Sequence, residues 1–306
     1  MIILTEVAAQ RLCGSQNLTT VNRFLFVVVV YRMSLTEVPA LRSLLDLRPL
    51  LREHGDRVLV FDNTPGITAE SFSIDADITY LSFGENRGLA SAYHAAYLTA
   101  KANGYGHLVL LDQDSEVNEQ LISALTQVTG EQTESVAIWC PQVGCYGKRI
   151  SPYSIGVFAW IDYGPQPGSQ SLYGINSFSV VNVRFIEDIG GVEQFYWLDS
   201  LDTWLYHSAH RTGWVVKQLG VEVDHDLSLV SGRISLDRLK NIAFFESCFA
   251  FEHWPAGKIV GTILKLFVRG IRRMDTIGGI GNYAAYIFQI LEGSRMGRKR
   301  RTIRVG

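Results

Sequence analysis

The chain's most chemically suggestive residues close a buried-looking run: Leu108-Val109-Leu110-Leu111 is followed by Asp112-Gln113-Asp114-Ser115. An uninterrupted apolar run of this kind reads as a strand covered on both faces, and α/β proteins gather ligands at the carboxyl ends of such strands. On an extended chain, two carboxylates one residue apart point the same way, about 6.6 Å apart at roughly 3.3 Å per residue. That arrangement suits a divalent cation beside a diphosphate, because a hard cation takes oxygen ligands and leaves part of its shell to phosphate oxygens. The competing reading is a solvated turn, which Asp and Ser also favour. A calcium loop counted from Asp112 fails, with Val117 where Gly is required and Ser123 where Glu is required. An aspartyl-nucleophile phosphatase also sets two acids after a strand, but on its first strand, and here three candidate strands come earlier.

Two further polar clusters end apolar runs, Tyr31-Arg32 and Asp62-Asn63. In a parallel sheet these ends share an edge with Asp112, so all three should meet in one crevice. Asp62 suits a base N–H, or simply a turn; Tyr31 offers a ring on which a base can stack. Gly84-Glu85-Asn86-Arg87-Gly88 precedes a helix, with Asn86 as a cap, Gly88 admitting close backbone approach, and Arg87 with the helix N-terminus facing a diphosphate. The segment is neither a GxGxxG nor a Walker motif. Asp199 and Asp202 lie three apart and would share a face at a helix start, where acids also favour the helix electrostatically. Tyr196, Trp197 and Trp204 beside them read either as sugar-stacking rings or as core.

The elements that must position these groups alternate. Strands are expected at 24–31, 57–61, 78–81 and 108–111, and helices at 36–51, with Leu41, Leu44, Leu45 and Leu47 as candidates for its inner side, and at 88–103. Such alternation implies right-handed crossovers and a doubly wound sheet over roughly the first 115 residues. Beyond it, strands are expected at 135–141 and 177–183, a loop region over 151–170, a helix at 202–211, and short strands at 214–216 and 221–223, followed by Asp224-His225-Asp226.

A chain of 306 residues, 47% hydrophobic, can bury a full core. Cys13, Cys140, Cys145 and Cys248 form no CxxC pattern, which supports neither a zinc site nor a disulfide framework and leaves a reducing cytoplasm as the expected setting. No leader is evident, and no run approaches the ~18 apolar residues of a spanning helix, so the protein is expected to be cytoplasmic, in solution or peripheral at the inner face of the membrane. The formal charge of −2 hides an asymmetry: eleven basic residues against two acidic ones from Gly257 onward give that tail a net +9. Interleaved with Ile259, Val260, Ile263, Leu264, Leu266, Phe267, Val268 and Ile271, they fit an amphipathic element on an anionic membrane, or a terminal helix packed on the body with a solvated basic face.

Taken in order, the strand Val27–Tyr31, Asp62-Asn63, Asn86-Arg87-Gly88-Leu89-Ala90, Leu111-Asp112-Gln113-Asp114-Ser115, Gly190-Gly191 and Leu198-Asp199-Ser200-Leu201-Asp202 resemble family 2 glycosyltransferases of the GT-A fold. The Leu-Asp-Gln-Asp-Ser form is similar to the bacterial rhamnosyltransferase-like branch, and the resemblance runs over about residues 24–230. It implies a Rossmann-like mixed sheet flanked by helices over 23–245, after an N-terminal extension (1–22) and before a helical, basic extension (246–306). It also implies inverting transfer from a nucleoside-diphosphate sugar, dTDP-rhamnose by the branch, to a saccharide or lipid-linked acceptor in cell-surface polysaccharide assembly, with Mg²⁺ or Mn²⁺ and no nucleic acid. In that frame Tyr31, Asp62, Asn63, Asn86, Arg87, Gly88, Asp112 and Gln113 would hold the donor, Asp112, Asp114 and His225 the metal, and Asp202, with Asp199 in reserve, would be the base. Arg32 stands where relatives often carry Asn, and Trp204 where they carry an acid. An aspartyl-nucleophile phosphatase and a non-catalytic nucleotide-sugar-binding module remain the alternatives.

Overall fold

The computed structural model describes residues 23–68, 70–128, 135–159, 161–163, 172–225 and 234–305. The N-terminal extension 1–22 lies outside them. β1 (Phe24–Val30) is buried at every position. Its side chains alternate between two cores, as a strand's period of two requires: Leu25, Val27 and Val29 enter one, Phe26, Val28 and Val30 the other. β1 pairs in parallel with β2 (Arg57–Asp62) on one side and with β5 (His107–Asp112) on the other. The chain therefore winds outward from β1 in both directions, which opens a crevice past its carboxyl end.

One sheet runs β12-β6-β11-β5-β1-β2-β4-β3, with β7 (Lys148–Ser151) paired to β6. β4 (Ile78–Ser82), β6 (Val136–Cys145) and β12 (Val215–Asp224) point the same way as β1; β3 (Glu70–Asp75) and β11 (Val180–Asn182) run against it. A small antiparallel sheet, β8 (Tyr153–Ile155), β9 (Ile161–Asp162) and β10 (Leu172–Tyr173), stands beside it. The expected α/β architecture, with a C-terminal helical extension, is what the chain forms.

Several expectations shift in detail. The helix expected over 36–51 is two, α1 (Pro39–Asp46) and α2 (Arg48–His54), because Pro49 in the first turn of α2 cannot continue α1. Leu41 and Leu44 are buried, but Leu45 is 41% exposed. The strand expected at 177–183 is cut to β11, since α5 (Val183–Asp188) starts at once, capped by the Asn182 side chain. The two short strands expected around 214–223 are one strand, β12, interrupted by bulges in its pairing with β6. α3 (Gly88–Asn103) covers one sheet face and α4 (Glu119–Ala124) the other.

The C-terminal part is α6 (Leu201–Thr212), α7 (Leu236–His253), α8 (Ala256–Arg272), α9 (Met274–Ile277) and α10 (Ile280–Val305), with α6 preceding β12. α7 runs unbroken through residues 245 and 246. Much of the basic tail is committed to the body. Buried Glu252 accepts from Tyr196 Oη at 2.8 Å and Arg300 Nε at 2.6 Å and pairs with Arg304 at 2.5 Å, while Arg301 donates to the Glu252 and Trp254 carbonyls. α10 is thus packed on the body, but Arg300, Arg301 and Arg304 turn inward instead of forming the solvated basic face that this reading expects. Among the described residues no helix is long and apolar enough to cross a membrane, and Cys140, Cys145 and Cys248 are free and buried.

Candidate functional site

The carboxyl ends of β1, β2, β5 and β12 open into a cleft of about 890 Å³. Tyr31, Asn63, Asn86, Gly88, Asp112, Gln113, Asp114, Asp199, Asp202 and His225 all line it. Asp62 and Arg87 do not. Asp62 is buried, accepting from Tyr80 Oη (3.0 Å) and from the Thr64 amide (2.8 Å). The Arg87 guanidinium pairs with Glu85 and sits over the Phe83 ring, 4.1 Å from its centroid. Neither side chain faces the cleft as expected of it.

At the end of β5, Asp112 keeps strand geometry but Asp114 does not. Ser115 closes a turn, its amide donating to the Asp112 carbonyl and its Oγ accepting from the Asp112 amide. The segment is thus a turn, as the competing reading has it, and the 6.6 Å extended-chain spacing does not apply. The turn lets oxygens of Asp112 and Asp114 and a His225 ring nitrogen lie within 4.8 Å of one another. One ion bound at about 2.1 Å spans its ligands by at most about 4.2 Å, so this donor set fits a divalent cation after a small adjustment.

His225 arrives from the far side of the sheet. It follows β12, its amide donates to the Gly144 carbonyl at the end of β6, and its ring meets Phe178 edge-on. Its Nε2 lies 3.5 Å from Asp112 Oδ2 and 3.3 Å from Ser177 Oγ, and Ser177 also hydrogen-bonds Asp112 Oδ2. Burial pushes the Asp112 carboxyl up, but the hydrogen bonds from His225 and Ser177 and the His225 charge outweigh it and hold Asp112 below the usual carboxylate range. Ser177 precedes β11, where nothing in the local sequence marks it; only the antiparallel run of β11 beside β5 brings it to this edge.

The 84–90 segment is a brace. Asn63 Nδ2 donates to the Gly88 carbonyl and its Oδ1 accepts from the Arg87 amide, while Asn86 Oδ1 accepts from the Gly88 amide and the Trp197 carbonyl from the Ala90 amide. Those amides are already satisfied, so the segment is not the free helix N-terminus expected for a diphosphate. Gly88 has φ +75°, and a Cβ there would collide with the Trp197 carbonyl and ring. Its close backbone approach is to the 197 segment. That contact sets the position of the acids that follow. Tyr31 lies at the cleft's edge with Arg32 over its ring, and Gln113 Oε1 accepts from the Tyr31 amide.

Asp199 precedes α6 and Asp202 is in its first turn, so both reach the cleft without sharing a helix. Asp199 is buried and bridged by Arg238 at 3.0 Å; burial pushes its carboxyl up to about 6 against the lowering effect of Arg238. Burial likewise pushes Asp202 up to about 6, partly offset by the Thr203 amide and reinforced by the charges of Glu246 and Asp112. Tyr196 and Trp204 are buried in the core, and Trp197 packs against it. The rings that reach the cleft are instead Tyr31, Tyr153, Phe249 and Trp254. Sequence reasoning missed the far wall entirely: Arg238 and Glu246 from α7, Lys265 and Arg269 from α8. Glu246 pairs with Arg269 (2.9 Å) and Lys265 (3.1 Å), which hold its carboxyl at about 2 despite burial.

No family model matches the chain, and no curated protein does. Among solved structures it is similar to S. aureus TarS 1-349 (11% identity, 92% of this chain and 91% of that one, TM-score 0.48) and to the mannosyltransferase PcManGT from Pyrobaculum calidifontis in complex with GDP-Man and Mn²⁺ (13%, 99% and 92%, TM-score 0.46). TarS 1-349 in complex with UDP gives 10% identity and a TM-score of 0.47 over 92% of this chain and 91% of that one. At these values, function has to be read from the site itself.

Proposed function

We propose that the protein is a metal-dependent glycosyltransferase that moves a sugar from a nucleoside-diphosphate donor to an acceptor hydroxyl with inversion. One observation carries the reading: a single cleft holds the Asp112-Asp114-His225 cluster on one side and Asp202, its carboxyl raised to about 6, on another wall. A bound cation would neutralise charge on the departing diphosphate. Tyr31, Asn63 and Gln113 line the donor end. Asp202 accepts the proton of the acceptor hydroxyl as that oxygen attacks the anomeric carbon and the bond to the diphosphate breaks. A carboxylate with a conjugate acid near 6 is ionised at neutral pH yet more basic than an exposed one, which general-base catalysis favours. Asp199, bridged to Arg238, holds the segment that leads into Asp202. The resemblance of the motifs adds dTDP-rhamnose as donor and a growing cell-surface polysaccharide as acceptor.

The test is a panel of nucleotide sugars screened for thermal stabilisation with Mg²⁺ or Mn²⁺, followed by assay for nucleoside-diphosphate release; a donor binding only the folded state raises the melting temperature by mass action. Cation-dependent stabilisation by one nucleotide sugar, with release of its diphosphate, is expected. A phosphoenzyme trapped on Asp112 would mark a phosphatase instead, and donor binding without turnover a binding module.

A further inference from the structure

A surface helix ordinarily keeps its apolar residues inward, but helix α8, which buries Leu266 against the body, also carries an apolar stripe outward. Its Lys265 and Arg269 point to the body and pair with Glu246, while Val260, Leu264 and Ile271 are 61%, 63% and 63% exposed. With Phe267 and Val268, also exposed, they recur at the spacing of one helix face. A second segment, distant in sequence, extends this face. Val157 and Phe158 are 73% and 65% exposed, and the Phe158 carbonyl rests on α8 where Gly261 leaves no room for a Cβ. The same two segments border the cleft, which Ala159, Thr262, Lys265 and Arg269 line. The apolar face therefore lies at the mouth of the site.

We propose that this face docks on an anionic lipid bilayer, with α8 lying in the interface and the 157–158 loop inserted beside it. Besides Lys265 and Arg269, which Glu246 holds, the helix carries Lys258 and Arg272 and no acidic residue, and Arg272 is exposed. A bilayer supplies both an apolar layer for the stripe and negative headgroups for such a helix. A second copy of the chain would set this acid-free basic helix against itself. Seventeen residues at 1.5 Å each give about 25 Å of contact along the surface. The docking stands apart from the transferase reading; what rests on that reading is its consequence, that a lipid-linked acceptor reaches Asp202 without leaving the membrane.

The full chain is sedimented with phosphatidylcholine vesicles, with and without phosphatidylglycerol, as wild type, as Leu264→Glu with Ile271→Glu, as Val157→Asp with Phe158→Asp, and as Arg272→Glu. Wild type is expected to bind the anionic vesicles, and each double variant to lose about tenfold or more of that partition while keeping its unfolding midpoint and its nucleotide-sugar binding. Arg272→Glu is expected to weaken binding to anionic vesicles only. The proposal is overturned if wild type stays in the supernatant, if the double variants bind as wild type does, or if wild type is a dimer that they dissociate. Nucleotide-sugar binding is read separately, so a failed transferase assignment leaves the vesicle result standing.

Discussion

Replacing Asp202 with Asn should make the protein more stable and nearly inactive. The folded environment raises the Asp202 carboxyl from 3.8 to about 6. A shift of roughly two units corresponds to about 3 kcal/mol. A raised acid pKa means that the folded state holds the proton more tightly than the unfolded one. The stabilisation from protonation is therefore complete below about 3.8, and it is lost as pH rises through about 6. Asn keeps the shape of the neutral carboxyl, retains an oxygen to accept from the Thr203 amide, and never ionises. Urea unfolding at pH 8 should show the variant more stable by up to about 3 kcal/mol, with the gain vanishing near pH 4. Product formation should fall about 10²- to 10⁴-fold, as expected on removing a general base, while donor binding stays within a few-fold. The wild-type rate should rise with pH through an apparent value near 6. A variant less stable than wild type at pH 8, or one that loses donor binding in step with turnover, would refute the assignment of Asp202 as a buried, uncompensated base.

Ser177→Ala removes the hydroxyl shared by Asp112 and His225; Mn²⁺ affinity, followed by titration calorimetry, should drop about 10-fold, as loss of a group orienting ligands does, and unchanged affinity would show that the pair holds itself in place. Gly88→Ala meets both a left-handed φ and the Trp197 backbone, so the urea midpoint should fall by the equivalent of about 2–4 kcal/mol. Glu252→Gln leaves Arg300 and Arg304 facing a neutral side chain; about 3 kcal/mol should be lost, with faster amide exchange in 280–305 as the sign that α10 has loosened.

The α3 boundaries and the buried strands β1, β2, β4 and β5 were readable because their signals are local: β-branched runs, turn residues, an Ala-rich helix ending at Gly104. Asp112 and Asp114 were readable as acids where a periodic strand stops, whereas Asp202, in the first turn of α6, stood out only through the resemblance of its segment. The edge strand β3 was not, since Glu70–Asp75 is polar and pairs only with its neighbour β4. Arg87 and Asp62 carry side chains suited to a donor site, yet Glu85 and Phe83 engage the first and Thr64 and Tyr80 the second.

By itself the sequence determined an alternating α/β chain, the acids at its strand and helix ends, and a tail that is basic and apolar at once. It could not determine which of those charges meet. His225 lies 3.5 Å from Asp112 because β12 pairs with β6 at the far side of β11, and Ser177 joins them because β11 runs backward beside β5. Such pairings are paid for by the whole core and leave no trace in local spacing. The tail was decided in the same way. Glu252 and Glu246, remote in sequence from the arginines they bind, draw the tail's charge inward and leave the apolar face of α8 outside.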